Sequence, residues 1–205
     1  MTTGEKRFMK LRHLESDFFT HQPVLYAAVM DSKGPILELG CGEGSTPLLH
    51  QLCEEQGRIL ITIDNNRDWW HRYSAKYATP WHKFIFTEDW SATLEDFENG
   101  TEWGVIFVDQ SPWGARKKSI ELLGDNTRYV VLHDCDYFPE QGGWGKCITP
   151  IRSESDIGER DYSELLPHWK EFFPPSPWHC KTGPPTLLGS HHVSTEEIHN
   201  LEIKW

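Results

Sequence analysis

Apolar residues recur along this chain in short runs, each closed by a polar or glycine-rich segment. Ile36 to Leu39, Ile59 to Ile63, Phe84 to Thr87, Gly104 to Val108 and Tyr129 to Leu132 are such runs. Their length and their β-branched or aromatic content predict strands, the first two of them buried. Between them lie segments with helical spacing, Ser45 to Glu55, residues 67–78 and Arg116 to Leu123. Ser45 or Thr46 is placed to cap the first of these helices and Gly57 to end it. Strand and helix alternate in this way from residue 35 to residue 133, which predicts an α/β fold with a doubly wound parallel sheet.

The flanks differ from this core. Phe8, Leu11, Leu14 and Phe18 stand at helical spacing, and Pro23 suits the first turn of a second helix, Val24 to Met30. Residues 139–160 are rich in glycine and charge and read as a loop or partial lid. His168 to Phe173 and Pro185 to Ser190 read as two closing strands joined by a proline-rich segment. No repeat or linker interrupts the chain. Its 205 residues predict one domain, with N-terminal helices over 1–33 capping an acceptor site and a core over 34–205 that carries a lid near 137–162.

The first predicted strand breaks into Gly40-Cys41-Gly42-Glu43-Gly44-Ser45-Thr46. Alternate glycines before a helix bring bare backbone against a nucleotide-like ligand. A dinucleotide fingerprint requires a third glycine where Ser45 stands, so the pattern is Glu38-x-Gly40-x-Gly42-x-Gly44. Glu38, two residues before the first glycine, suits a ligand amino group better than a pyrophosphate. An ordinary tight turn and a dinucleotide site are the competing readings. Asp64, with Asn65, ends the second strand, where a carboxylate accepts ribose hydroxyls or caps the next helix. Glu88-Asp89-Trp90 follows the third strand, and Asp89 reads equally as an N-cap and Trp90 as core.

The glycine pattern resembles motif I of the class I S-adenosylmethionine-dependent methyltransferases, and the likeness extends as an ordered series over roughly residues 35–134. It implies a Rossmann-like, seven-stranded sheet closed by an antiparallel strand pair, with S-adenosyl-L-methionine as cofactor. Glu38, Gly40, Cys41, Gly42 and Ser45 would surround the amino-acid end of that cofactor, Asp64 and Asn65 the ribose, and Asp89 and Trp90 the adenine. Asp109 would border the same pocket. The leading helices would lie over the methionine end, which makes His21 a weaker candidate beside its reading as a helix cap.

Asp109 ends the fourth strand, and His133, Asp134 and Asp136 follow the fifth. Adjacent parallel strands would bring these side chains to one edge of the pocket. An aliphatic hydroxyl acceptor needs a base or a metal ion. In a metal-free arrangement Asp109 or His133 is the general base and a neighbouring acid such as Asp134 orients the imidazole. In a metal-assisted one, Asp109, Asp134 and Asp136 hold magnesium or another divalent cation through oxygen. The metal-assisted arrangement resembles that of the O-methyltransferases of the catechol type, although Cys135 replaces the asparagine those enzymes use.

The formal charge of −11 disfavours a nucleic-acid partner, and the one basic triplet, Arg116-Lys117-Lys118, reads as a solvated face. Among ten tryptophans, Trp81, Trp113, Trp144 and Trp178 fall in predicted loops. With Gln110 and Ser111 beside Asp109, they suit a polyol acceptor. The tail, Phe172 to Pro175 with Thr182 to Leu188, resembles sugar-modifying methyltransferase domains of large algal viruses. That likeness implies methylation of a sugar or glycan hydroxyl, with rhamnose as one case. The alternatives are a metal-dependent O-methyltransferase of small aromatic acceptors, an NAD-dependent oxidoreductase, and a non-catalytic glycan- or cofactor-binding domain. Five scattered cysteines without a C-x-x-C pair predict neither zinc nor disulfides and suit a reducing compartment. No signal core and no apolar run of about 18 residues occurs, so the expected setting is soluble and cytoplasmic, without a membrane partner.

Overall fold

The computed structural model describes residues 11–12, 15–98, 100–135, 162–174 and 184–205. Phe8 and Leu14, the lid segment 137–161 and most of the proline-rich connection lie outside them. Seven strands form one sheet: β1 (Ile36–Leu39), β2 (Leu60–Asp64), β3 (His82–Phe86), β4 (Trp103–Val108), β5 (Thr127–His133), β6 (His168–Phe172) and β7 (Thr186–Ser190). Their order is β3-β2-β1-β4-β5-β7-β6. The first five run parallel, and β7 inserts antiparallel between β5 and β6.

Alternation along the strands divides the core in two. Ile36, Val105, Phe107, Tyr129 and Val131 face one side, and Leu37, Ile106, Val108, Val130 and Leu132 the other. The first face is covered by α1 (Gln22–Met30), α2 (Thr46–Gln56) and α6 (Thr195–Asn200). The opposite face is covered by α4 (Trp90–Glu98) and α5 (Trp113–Leu123), while α3 (Arg67–Tyr77) packs along β2 and β3. Val24, Leu25, Ala28 and Val29 of α1 are all wholly buried, so the body of this helix belongs to the core. Only its first turn reaches the strand ends.

The expected strands and the closing pair are present. β3 begins two residues before its apolar run, and α5 three residues before Arg116, while α4 and α6 have no counterpart among the predicted helices. Both are short, of nine and six residues, and are held by tertiary packing rather than by propensity. Among the described residues no helix is long and apolar enough to cross a membrane.

The chain winds outward from β1 to β3, then returns to place β4 against the other side of β1. That reversal opens a crevice at the C-terminal strand ends, the position at which α/β sheets bind ligands. Leu39 pairs with Val108, and Val108 with Leu132, so the residues that follow these strands meet at one edge. Phe107, wholly buried in the strand between, is the packing residue of that edge. Phe107→Ala is expected to destabilise the fold by about 3–5 kcal/mol, read as a lowered denaturation midpoint at unchanged m-value.

Candidate functional site

The glycine loop leaves β1 under tight steric control. Gly40 has φ +90°, and a Cβ there would stand 2.7 Å from the Asp109 carbonyl oxygen. A Cβ at Gly44 would stand 2.7 Å from His21 Cε1 and from the Phe18 carbonyl oxygen. Gly42 differs: a Cβ there would meet nothing within 4 Å among the described residues. Two of the glycines are therefore required by packing, and the middle one faces open space. The Gln22 side-chain amide donates to the Gly44 carbonyl at 2.7 Å, fixing the far end of the loop.

Glu38 lies behind this loop with no exposed surface. Thr46 donates to its Oε1 at 2.8 Å and Thr62 to its Oε2 at 2.6 Å, while Thr46 Oγ1 accepts from the Gly42 N–H at 3.0 Å. Ser45 occupies the N-cap position of α2 without bonding a helix N–H, which corrects the capping role expected of Ser45 or Thr46. The buried carboxylate is the stronger acceptor and takes these hydroxyls instead. Burial pushes the Glu38 acid up from 4.5 to about 7, against the pull of the Ser45, Thr62 and Thr46 hydroxyls.

Asp64 braces the loop from β2. Its Oδ2 accepts from the Cys41 N–H at 2.8 Å and its Oδ1 from the Asn66 N–H at 2.6 Å. Cys41 contributes this backbone group, and burial holds its thiol far above the ordinary range. The cap of α3 is Asn66, which accepts from Asp68 and Trp69, and Asn65 stands half-buried before it. Asp89 accepts from the Ala92 N–H at 3.2 Å and caps α4. Trp90 packs in the core, its indole N–H donating to the Ser111 carbonyl at 2.8 Å.

The ends of β4 and β5 bring Asp109, His133 and Asp134 together. His133 Nδ1 lies 3.4 Å from Asp109 Oδ2, and its Nε2 lies 3.4 Å from Asp134 Oδ1 and 3.3 Å from Thr20 Oγ1. Asp134 takes a left-handed φ of +48°, which turns the chain sharply after β5. Arg116 ties both strand ends, donating to Asp109 Oδ1, the Gln110 carbonyl and the His133 carbonyl, each at 2.8 Å. Its guanidinium is buried, which corrects the reading of the basic triplet as wholly solvated. Lys117 and Lys118 do face solvent, but Arg116 turns to the sheet edge, where Asp109 supplies its counter-charge.

Burial alone would raise the Asp109 acid, but the charges of His133 and Arg116 outweigh it and hold it down at about 2. Burial likewise would lower His133, and the Asp134 and Asp109 carboxylates instead raise it above 6.5. His21 packs 4.4 Å from the His133 ring and 4.7 Å from Phe107. Neither of its ring nitrogens has a well-formed hydrogen bond, the nearest backbone group being that of Gly44, and burial first and then His133 keep it neutral.

Asp109, His133 and Asp134 present donor atoms within 4.8 Å of one another, whereas Asp136 lies outside the described residues. A hard divalent cation asks for an oxygen-rich shell. Here an imidazole sits between the carboxylates and Arg116 already holds Asp109, so this donor set does not fit magnesium. Nor does Gln110 face an acceptor: its amide turns inward to Ser119 and the Ala115 carbonyl. Trp81 packs against the core beside His50, and Trp144 and Trp178 lie outside the described residues.

The Glu38 acid is weaker in the folded chain than in the unfolded one, so the fold holds a proton there that the unfolded chain releases above 4.5. The associated stability, on the order of 3 kcal/mol, is full below 4.5 and is lost as pH rises to about 7. Glu38→Gln is expected to remove this part of the slope, read as a flatter dependence of melting temperature on pH over that window.

No family model and no curated protein matches the chain. Solved structures do. An S-adenosylmethionine-dependent methyltransferase from Archaeoglobus fulgidus aligns with 84% of this chain and 92% of its own, at 12% identity and a TM-score of 0.50. The S-adenosylhomocysteine-bound methyltransferase of Podospora anserina aligns with 82% of this chain and 75% of its own, at 15% identity and a TM-score of 0.49. A TehB-like methyltransferase from Corynebacterium glutamicum aligns with 83% and 86%, at 17% identity and a TM-score of 0.46. The strand order and the Archaeoglobus likeness together give this chain the fold of the class I S-adenosylmethionine-dependent methyltransferases.

Proposed function

We propose that this protein is an S-adenosylmethionine-dependent O-methyltransferase whose acceptor is an aliphatic hydroxyl on a sugar or glycan. The observation that carries this reading is the adjacency of two half-sites: a braced glycine loop with open space at Gly42, and the Asp109–His133–Asp134 cluster on the neighbouring strand ends. When bound, the cofactor supplies a methyl carbon made electrophilic by its sulfonium. Glu38 contributes negative charge from behind the loop. Asp64 keeps lone pairs beyond those taken by Cys41 and Asn66, and these suit ribose hydroxyls, with Asn65 alongside. Ser45 and the backbone of Gly40 and Cys41 line the same loop, while Asp89, exposed at the start of α4, borders the adenine side and Trp90 supports it from the core.

The acceptor proton falls to the cluster. The side chains of Asp109 and Asp134 are each 27% exposed and that of His133 only 3%, so the carboxylates meet the acceptor and the imidazole stands behind them. Asp109, held by Arg116, is a weak base, and it orients His133 through Nδ1. Asp134 is placed to take the hydroxyl proton and hand it to His133 Nε2, while the bound cofactor would supply the methyl group by cleavage of its carbon–sulfur bond and leave as S-adenosylhomocysteine. Phenols and carboxylates need no such base, which favours a sugar over a catechol-like acceptor, and no step runs through a metal. Ser45 in place of a third glycine disfavours NAD. The net charge of −11 disfavours a nucleic-acid acceptor and leaves a small molecule or glycan.

S-adenosylhomocysteine at about 100 times its Kd is expected to stabilise the protein by about 2.7 kcal/mol, seen as a raised melting temperature that NAD does not produce. Gly42→Ala is expected to keep the unliganded melting temperature and to weaken that binding about tenfold or more, roughly 1.4 kcal/mol by titration calorimetry. Equal stabilisation by both ligands would remove the cofactor assignment. Methyl incorporation into a panel of glycans and phenols tests the acceptor. The rate is expected to rise with pH through a midpoint above 6.5 as His133 loses its proton, and to be insensitive to chelator. His133→Ala is expected to abolish that pH limb and lower kcat by about a hundredfold or more.

A further inference from the structure

Glu38 has another line of contacts that the loop does not use. Thr62 Oγ1, which donates to Glu38 Oε2, lies 2.9 Å from His82 Nε2, and His82 Nδ1 lies 2.9 Å from His50 Nδ1. Thr62 and His82 have no exposed surface, whereas His50 is half-buried on the outer part of α2. One arrangement of hydrogens satisfies all three contacts. Thr62 has a single hydrogen, given to Glu38, so it accepts from His82 Nε2–H. Neutral His82 then carries a lone pair on Nδ1, which accepts from His50 Nδ1–H. The remaining lone pair, on His50 Nε2, forms the outer end of the chain. Every donor points inward, toward the carboxylate.

We propose that His50, His82 and Thr62 form the proton path by which Glu38 exchanges its proton with solvent, and that the charge Glu38 carries at a given pH tunes the affinity of the glycine loop for a cationic ligand; the second half rests on the cofactor reading above. A proton taken up at His50 Nε2 releases the Nδ1 proton to His82 Nδ1. His82 releases its Nε2 proton to Thr62, and Thr62 passes its own to Glu38 Oε2. One proton enters, one carboxylate is neutralised, and each hydrogen bond reverses its direction. Only N–H and O–H bonds change.

The surroundings support a path rather than a passive network. On the other side of Glu38, Thr46 accepts from the Gly42 amide, whose N–H does not ionise in water, so that route ends there, and the remaining hydroxyl on the carboxylate is that of Ser45. The other titratable groups near the carboxylate are Asp64 on β2, Cys41 in the loop and Cys53 on α2, with Arg58 beyond Cys53. Phe107 flanks Glu38 on β4. His82 packs on Trp81 and Phe84, and His50 on Tyr77 and Trp81 with Glu54 nearby. Burial holds both imidazoles below their ordinary value, so they relay a proton without storing it.

A pH jump across about 7, followed by infrared spectroscopy, tests the path without any ligand. The C=O band of protonated Glu38 is the one absent from Glu38→Gln. His50→Gln keeps a hydrogen bond to His82 but cannot pass a proton. With local opening of the fold as the remaining route, Glu38 protonation in this variant is expected to slow by about tenfold or more. Imidazole in the buffer is expected to restore the rate in His50→Ala, and Thr62→Ser to keep the wild-type rate. A wild-type rate in His50→Gln overturns the path. Affinity for S-adenosylhomocysteine is expected to rise with pH across the Glu38 midpoint in the wild type and to be flat in Glu38→Gln; a flat wild-type profile overturns the coupling to ligand. Absence of binding at every pH sinks the cofactor reading, and the infrared rates still decide the path.

Discussion

A carboxylate with no exposed surface joins three elements of this fold. Glu38 on β1 is bonded by Thr46 of α2 and Thr62 of β2. Left bare, a buried acid would cost several kcal/mol and would swell or rearrange its surroundings. The two hydroxyls remove that penalty only when β1, β2 and the start of α2 stand in one relative position. The glycine loop spans that joint, so its shape is set from behind. Asp64 sets it from the side through the Cys41 N–H. What these contacts leave open is the space beside Gly42.

The other half of the site is locked to the first through the backbone. Gly40 approaches the Asp109 carbonyl more closely than any side chain would allow, so the loop and the end of β4 cannot move independently. Arg116 then bonds the ends of β4 and β5 together. Two carboxylates beside one imidazole would repel one another without a buried cation. The guanidinium supplies it, and the result is a compact, nearly charge-balanced cluster. That balance suits the holding and moving of a proton. It suits magnesium poorly, since that ion prefers oxygen ligands and would compete with Arg116 for Asp109. The same cluster meets the N-terminal segment at Thr20 and His21, which joins the first helix to the C-terminal edge of the strands.

The parallel core was legible because buried strands read as continuously apolar runs, and five apolar runs stand in order between residues 35 and 133, of which only the edge strand β3 is left partly exposed along most of its length. α4 and α6 were not, because short helices take their stability from what they pack against. Asp89 and Trp90 show the limit at the level of side chains. An acid and an aromatic after a strand suit a ligand or a cap and core equally in sequence, and the geometry shows a cap on α4 and an indole in the core. Arg116 shows the same limit, since its neighbours Lys117 and Lys118 do face solvent.

Thr62 and His82 carried a signal that composition did not decode. A polar residue that ends up buried, within a strand like Thr62 or at a strand start like His82, must find a partner, but register names which one. Glu38 pairs with Thr62 across β1 and β2, and Leu60 with His82 across β2 and β3. By itself the sequence determined the alternation of strand and helix, the glycine turn and the acids at the strand ends, because hydrophobic period and backbone freedom are local properties. Tertiary structure alone decided which acids share a cation, which are capped by hydroxyls and which histidines meet. Those outcomes depend on distances of a few ångströms between residues far apart in the chain, and only strand order and register set such distances.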